Sequence, residues 1–195
     1  MRLNLAHTLP RSAVNGPGER FVLWVQGCPL HCPGCWNPDT WSFARRDWRT
    51  VEDMAREILG TPNIEGVTFS GGEPFAQALA LASLGECVRR AGLSVFVFTG
   101  YELDELTSED HLRLLAVTDI LVTGRFVAGL ADPDLVWRGS ANQRVHYLTG
   151  RYTPAHLAGT AAAELHLAPS GEVVVTGFPA WQMLRTLSAP ARQAV

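Results

Sequence analysis

The sequence predicts an α/β fold with a mainly parallel sheet and a C-terminal β-hairpin extension. Three observations lead there. Short apolar runs suited to buried strands alternate with segments of helical spacing, the pattern of βαβ units. Each of the first four runs stops at a turn bearing glycine: Gly27, Ser70-Gly71-Gly72, Thr99-Gly100 and Thr123-Gly124. Late in the chain, two β-rich stretches flank Pro169-Ser170-Gly171.

Residues 21–26 form a short apolar run and enter a loop dense in Pro, Gly and Asn. Over 50–59, Val51, Met54, Ala55, Ile58 and Leu59 recur at helical spacing, with Thr50 as N-cap and Asp53 three residues on. A strand over 64–69 follows. Residues 75–91 read as a helix, because Phe75, Leu79, Leu81, Ala82, Leu84 and Val88 recur at helical spacing. A strand over 94–98, a helix over 102–116 and a strand over 119–122 come next, and 144–148 offers a fifth strand. After a linker at 155–163, residues 164–168 and 172–176 make the hairpin. A short helix over 180–187 closes the chain, and the residues from Ser188 are expected to fray.

At 195 residues the chain can bury one sizeable core and is short for two, so a single domain over 1–195 is expected. Apolar residues make up 47% and charged residues 18%, as in ordinary globular domains. No apolar run approaches the roughly 20 residues of a membrane helix, and the first residues lack a signal-peptide core. A cytoplasmic protein without membrane contact follows. The net charge of −3, with no block of like charge, gives no footprint for nucleic acid. All 16 basic residues are Arg, which removes any lysine Schiff-base chemistry.

Three of the four cysteines lie in Cys28-Pro29-Leu30-His31-Cys32-Pro33-Gly34-Cys35. Clustered thiols in a cytosolic chain suggest metal ligation rather than disulfides. Thiolates suit iron–sulfur clusters and zinc. A cubane would take three ligands here and keep one iron open. A zinc site would need His31 or Cys87 as its fourth ligand, and no second Cys-x2-Cys knuckle exists. Cys87 itself sits in a helical pattern, where a lone cysteine is usually a small core residue. Phe69-Ser70-Gly71-Gly72-Glu73-Pro74 is the second segment of interest. Its glycines let a ligand approach the backbone, and Glu73 offers a carboxylate suited to an ammonium group. Taken alone, the segment reads first as an ordinary strand-to-helix turn with Glu73 near a helix N-terminus. The turns after all four strands fall on the carboxyl rim of a parallel sheet, where such folds bind ligands. The remaining histidines are scattered without ligand spacing. Tyr101 and Arg138 read as substrate-site or partner-surface residues.

Together the two segments resemble the radical S-adenosylmethionine superfamily. Val25-Gln26-Gly27-Cys28, Cys32-Pro33-Gly34-Cys35-Trp36-Asn37, Thr40-Trp41, residues 99–106, residues 119–126, Asp132-Pro133 and residues 137–143 narrow the resemblance. They are similar to the family that activates anaerobic ribonucleoside-triphosphate reductase. Asn15-Gly16-Pro17-Gly18-Glu19-Arg20 matches the Gly-Pro-Gly segment of glycyl-radical-enzyme activating proteins more broadly. The resemblance covers about 13–147 and implies a partial (β/α) barrel. It implies that Cys28, Cys32 and Cys35 hold three irons of a [4Fe–4S] cluster. S-adenosylmethionine would bind the open iron. Gly71, Gly72 and Glu73 would hold its methionine amino group, and Gly34, Cys35 and Trp36 would lie against its nucleoside.

The implied activity is reductive cleavage of S-adenosylmethionine to a 5′-deoxyadenosyl radical, with an electron from a flavodoxin or ferredoxin. That radical would take a hydrogen atom from a glycine of a partner glycyl-radical enzyme, a step needing no general acid or base. Three positions depart from the family: Thr123 where an Asp is expected to meet a ribose hydroxyl, Arg125 for Lys, and Glu73 for Asp. The hairpin from about 151 lies outside the resemblance, as a cap on a sheet edge or a substrate-specific addition. Two rivals stay open: a radical enzyme acting on a small molecule or peptide, and a non-enzymatic iron–sulfur or zinc module.

Overall fold

The computed structural model describes residues 1–157, 162–167, 171 and 173–177. These form β1 (Arg2–Ser12), β2 (Arg20–Val25), β3 (Asp47–Thr50), α1 (Val51–Gly60), β4 (Gly66–Gly71), α2 (Ala78–Arg90), β5 (Ser94–Phe98), α3 (Glu109–Val117), β6 (Ile120–Thr123), β7 (Arg144–Tyr147), β8 (Ala163–Leu167) and β9 (Val173–Gly177). Seven strands make one sheet in the order β3-β1-β2-β4-β5-β6-β7. β2, β4, β5 and β6 run parallel, whereas β1, β3 and β7 pair antiparallel on the flanks. The parallel expectation therefore holds for the centre of the sheet. The sheet is open, ending at β3 and β7.

Period-two alternation divides the sheet faces. Phe21, Leu23, Val25, Val67, Phe69, Val95, Val97 and Leu121 point to one face and join Met54, Ile58, Leu81, Leu84, Val88 and Leu114 from the three helices in one core. On the other face Val22 and Trp24 meet Leu9, while Phe96, Ile120 and Val122 meet Trp137 and Tyr152. The parallel strands thus present their carboxyl ends together.

Arg20 ties the amino ends of these strands. Its guanidinium is fully buried. It donates to Thr68 Oγ1 (2.8 Å), Ser94 Oγ (2.9 Å), Pro17 O (3.1 Å), Val67 O (2.7 Å) and Ser94 O (3.3 Å). Every guanidinium N–H is thereby accounted for, which is what makes a buried charge tolerable there.

The helix starts differ from expectation for local reasons. Pro74–Gln77 is a 3₁₀ turn, and α2 begins only at Ala78. Helix 102–116 is two pieces: a 3₁₀ turn at Leu103–Glu105 closed by a Glu102/Glu105 capping box, then α3, whose N-cap Ser108 accepts from His111 N. Thr50 caps α1 as read from the sequence, accepting from Asp53 N. Two strands were missed. β1 carries period-two burial at Leu3 and Leu5, a signal the sequence does hold, whereas β3 is a short polar edge with none.

The hairpin β8–β9 forms as expected, but as a separate two-stranded sheet. Among the described residues it pairs with no edge strand of the main sheet, as the expected cap would. Glu164 Oε1 accepts from Ala13 N and Thr176 Oγ1 accepts from Asn15 Nδ2, each at 2.8 Å, so it sits against the segment leading into β2. That is the end of the sheet opposite the carboxyl rim. The expected helix 180–187, the tail from Ser188 and residues 158–161 of the linker lie outside the described residues. No helix among the described residues is long and apolar enough to cross a membrane.

Candidate functional site

Parallel strands bring the glycine-bearing turns together because each strand ends on the same rim. A cavity of about 130 Å³ opens there, lined by Cys28, Cys32 and Cys35 from the loop after β2, and by Ser70, Gly71, Gly72 and Glu73 after β4. Phe98, Thr99 and Gly100 at the end of β5, and Gly124, Phe126 and Gln143 beyond β6, complete the wall with Leu30 and Trp41. Six of the eight predicted cofactor or metal residues, Cys28, Cys32, Cys35, Gly71, Gly72 and Glu73, thus share one cavity. Gly34 and Trp36 stand just outside, both against Phe126. A Cβ on Gly34 would lie 3.5 Å from that ring, and the Trp36 ring centroid is 5.8 Å from it.

The cysteine loop is held by backbone bonds rather than by its own secondary structure. Gly27 N donates to Thr40 O (2.7 Å), Cys28 N to Trp41 O (3.0 Å) and Cys35 N to Cys32 O (3.0 Å). The glycine turn is sewn to the same loop: Gly72 N donates to Val25 O and Glu73 N to Gly27 O, both at 2.8 Å. Burial pushes the Cys28 thiol up, against hydrogen bonds from the Leu30 and His31 amides. Among the described residues no three His, Cys, Asp or Glu side chains meet closely enough to hold a single metal ion. The three thiols share a cavity rather than a point. His31 is not on that wall; its ring stacks on Trp41 at 4.9 Å. Cys87 packs at the margin of the main core on α2.

Glu73 is 1% exposed, and every hydrogen bond it makes runs inward. Its Oε1 accepts from Phe75 N (2.9 Å) and Thr99 Oγ1 (2.8 Å), and its Oε2 from Gly100 N (2.9 Å). The carboxylate therefore joins the ends of β4 and β5. Burial pushes its pKa up to about 7, against those hydrogen bonds and the more distant Arg125. A pKa raised in the folded state favours folding below the unfolded value and loses that contribution as pH rises through the folded value. Unfolding free energy of the ligand-free protein is therefore expected to fall by about 3 kcal/mol between about pH 4.5 and 7 from this group. Urea titrations across that window check it; the slope should flatten in Glu73→Gln.

On the rim beside the cavity, Arg125 donates to both carboxylate oxygens of Glu105 at 2.8 and 2.9 Å. Its hydrogen bonds hold the Glu105 carboxyl down at about 2. The same guanidinium lies 5.9 Å from the centre of the Tyr101 ring. Tyr101 and Arg138 themselves do not line the cavity. Thr123 is fully buried, with its hydroxyl 2.9 Å from His146 Nε2, and it too is absent from the wall. Sequence reading passed over Gln143 as a wall residue, although it had marked the 137–143 segment. Its Oε1 accepts from Gly139 N (2.7 Å) and Ser140 N (3.2 Å), and its Nε2 donates to Gly124 O (2.9 Å). Phe126 was passed over as well. Nothing local marks either residue; only the approach of loops after β6 does.

A family model described as a 4Fe-4S single cluster domain matches residues 14–146. The anaerobic ribonucleoside-triphosphate reductase-activating protein of Escherichia coli K12 is 37% identical over 154 residues, covering 75% of this chain and 99% of that protein. The chain belongs to this family of activating proteins. The protein of the same description from Vibrio cholerae is 38% identical over 156 residues, covering 75% of this chain and 99% of its own. That from Enterobacteria phage T4 is 32% identical over 150 residues, covering 73% and 93%. Among solved structures, QueE from Escherichia coli aligns over 51% of this chain and 53% of its own, at 20% identity and a TM-score of 0.42. Every cavity-lining residue of this activating-protein family member falls inside 14–146, whereas β8 and β9 lie beyond it.

Proposed function

We propose that Cys28, Cys32 and Cys35 hold three irons of a [4Fe–4S] cluster, and that the chain uses it to activate an anaerobic ribonucleoside-triphosphate reductase. One observation carries this reading: three thiols, three glycine-bearing turns and a buried carboxylate line a single cavity at the carboxyl rim. Thiols that share a cavity without meeting at a point suit a polynuclear core better than a single zinc ion. The zinc reading also lacks its fourth ligand, since His31 is stacked on Trp41 and Cys87 lies on α2. When bound, the cluster and S-adenosylmethionine supply reductive carbon–sulfur cleavage and a 5′-deoxyadenosyl radical, which takes a hydrogen atom from a glycine of the reductase.

The chain's own residues bind, orient and shield. An ionised carboxylate has about four acceptor positions, and Glu73 uses three inside the protein. The fourth, on Oε2, is left for the methionine ammonium. Gly71 and Gly72 bring backbone groups to the same place without side chains in the way. Gly34, Cys35 and Trp36 would flank the nucleoside, with Phe126 as the ring that joins them to the cavity. A polypeptide loop of the partner would enter at this carboxyl rim. The electron would come from a flavodoxin or ferredoxin. We read the four parallel strands with helices on one face as a partial (β/α) barrel of the radical S-adenosylmethionine type, in one domain over 1–195 with its core at about 13–150. A cytoplasmic location fits this chemistry.

The test is anaerobic reconstitution with iron and sulfide, reduction, and addition of S-adenosylmethionine with and without the reductase. Formation of 5′-deoxyadenosine together with a glycyl-radical signal on the reductase is expected. Cleavage without that signal would move the reading to another substrate, and no cleavage would leave a non-enzymatic module.

A further inference from the structure

Trp41 lines the cavity, yet its indole nitrogen makes no hydrogen bond. Nε1 is buried and has no acceptor among the described residues. Indole is a donor only, so a buried N–H without an acceptor is a cost the fold would otherwise avoid. Two contacts decide which acceptor the site is built to offer. The Trp41 carbonyl accepts from Cys28 N at 3.0 Å, fixing its backbone against the first cysteine. The Trp41 ring stacks on His31, between Cys28 and Cys32, with the planes 23° apart. Ring and backbone are thus both seated on the cysteine loop. Glu73, also on the wall, has its hydrogen bonds with Phe75, Thr99 and Gly100. Trp41 lines the same cavity as Cys28, Cys32 and Cys35, so a cluster held by those thiols would bring sulfur acceptors beside the indole.

We infer that Trp41 donates its indole N–H to a sulfur atom of the cluster and acts as a positioning residue that sets the cluster's potential. The inference rests on the cluster assignment above. A hydrogen bond to sulfur withdraws electron density and favours the reduced cluster, which carries the extra negative charge. Removing it should make the cluster harder to reduce.

Trp41→Phe keeps an aromatic ring for the stack on His31 and removes the donor together with part of the indole ring system. Wild-type and variant protein, reconstituted anaerobically, are titrated by electron paramagnetic resonance at set potentials. At the wild-type midpoint the ratio of reduced to oxidised cluster is expected to fall about tenfold in the variant, a shift of about 59 mV for a one-electron couple. An unchanged midpoint at full iron and sulfide content overturns the inference. A second measurement stands even if the variant takes up no cluster. In wild-type protein carrying indole-¹⁵N tryptophan, pulsed resonance of the reduced cluster should show a ¹⁵N coupling that survives Trp36→Phe. Absence of that coupling, or its loss in Trp36→Phe, overturns the inference. Wild-type protein that binds no four-iron cluster would instead sink the cluster assignment itself, so the two failures are separable.

Discussion

Replacing any one of Cys28, Cys32 or Cys35 by alanine is expected to abolish cleavage of S-adenosylmethionine, while Cys87→Ala leaves it near the wild-type rate. Loss of an outer partner costs a metal site roughly 10–100-fold, and loss of a direct ligand exceeds that. All three thiols face one cavity, and no fourth cysteine stands by to replace them. Cys87 packs at the margin of the helical core, where its loss removes one small apolar contact. Iron and sulfide content, the cluster's visible absorption and 5′-deoxyadenosine formation are measured on each variant after identical reconstitution. Wild-type turnover in any of the three alanine variants would remove the basis for the assignment.

Gly71→Ala is expected to destabilise the protein by about 3 kcal/mol or more, from backbone strain and overpacking together. Gly71 has φ +103, a conformation side chains rarely adopt. A Cβ there would also stand 2.5 Å from Val25 N and 2.6 Å from the Trp24 backbone. Those atoms belong to β2, paired in register with β4, so neither strand can yield without breaking the ladder beside the cysteine loop. At Gly60, by contrast, nothing lies within 4 Å of an added Cβ. Gly60→Ala should therefore be neutral or stabilising by up to about 1 kcal/mol. Urea unfolding of both variants, side by side, separates a site-specific clash from a general intolerance of alanine for glycine.

The parts of the fold that were legible are those whose signal is short in sequence. Helix α1 shows its cap and its apolar stripe within a dozen residues, and Phe21 to Val25 shows its strand as one run. The elements misjudged were those with competing local chemistry. Ser108 offers a better helix start than Glu102, because its hydroxyl accepts from His111 N, so one expected helix became a turn and a shorter helix. β3 is recognisable only through β1, since its four residues carry no apolar pattern of their own.

The clustering of the thiols and the family were both legible from the residues alone. Three thiols within eight residues are bound to stay close however the rest folds, because the backbone between them is short. Tertiary structure alone decided what surrounds them. Glu73 meets Thr99 and Gly100 across 26 and 27 residues, and Gln143 meets Gly124 across 19. Trp41 meets His31 of the cysteine loop across 10 residues, and its buried N–H has no acceptor among the described residues. Such encounters depend on strand order and register, which long-range burial fixes and no short stretch of residues encodes.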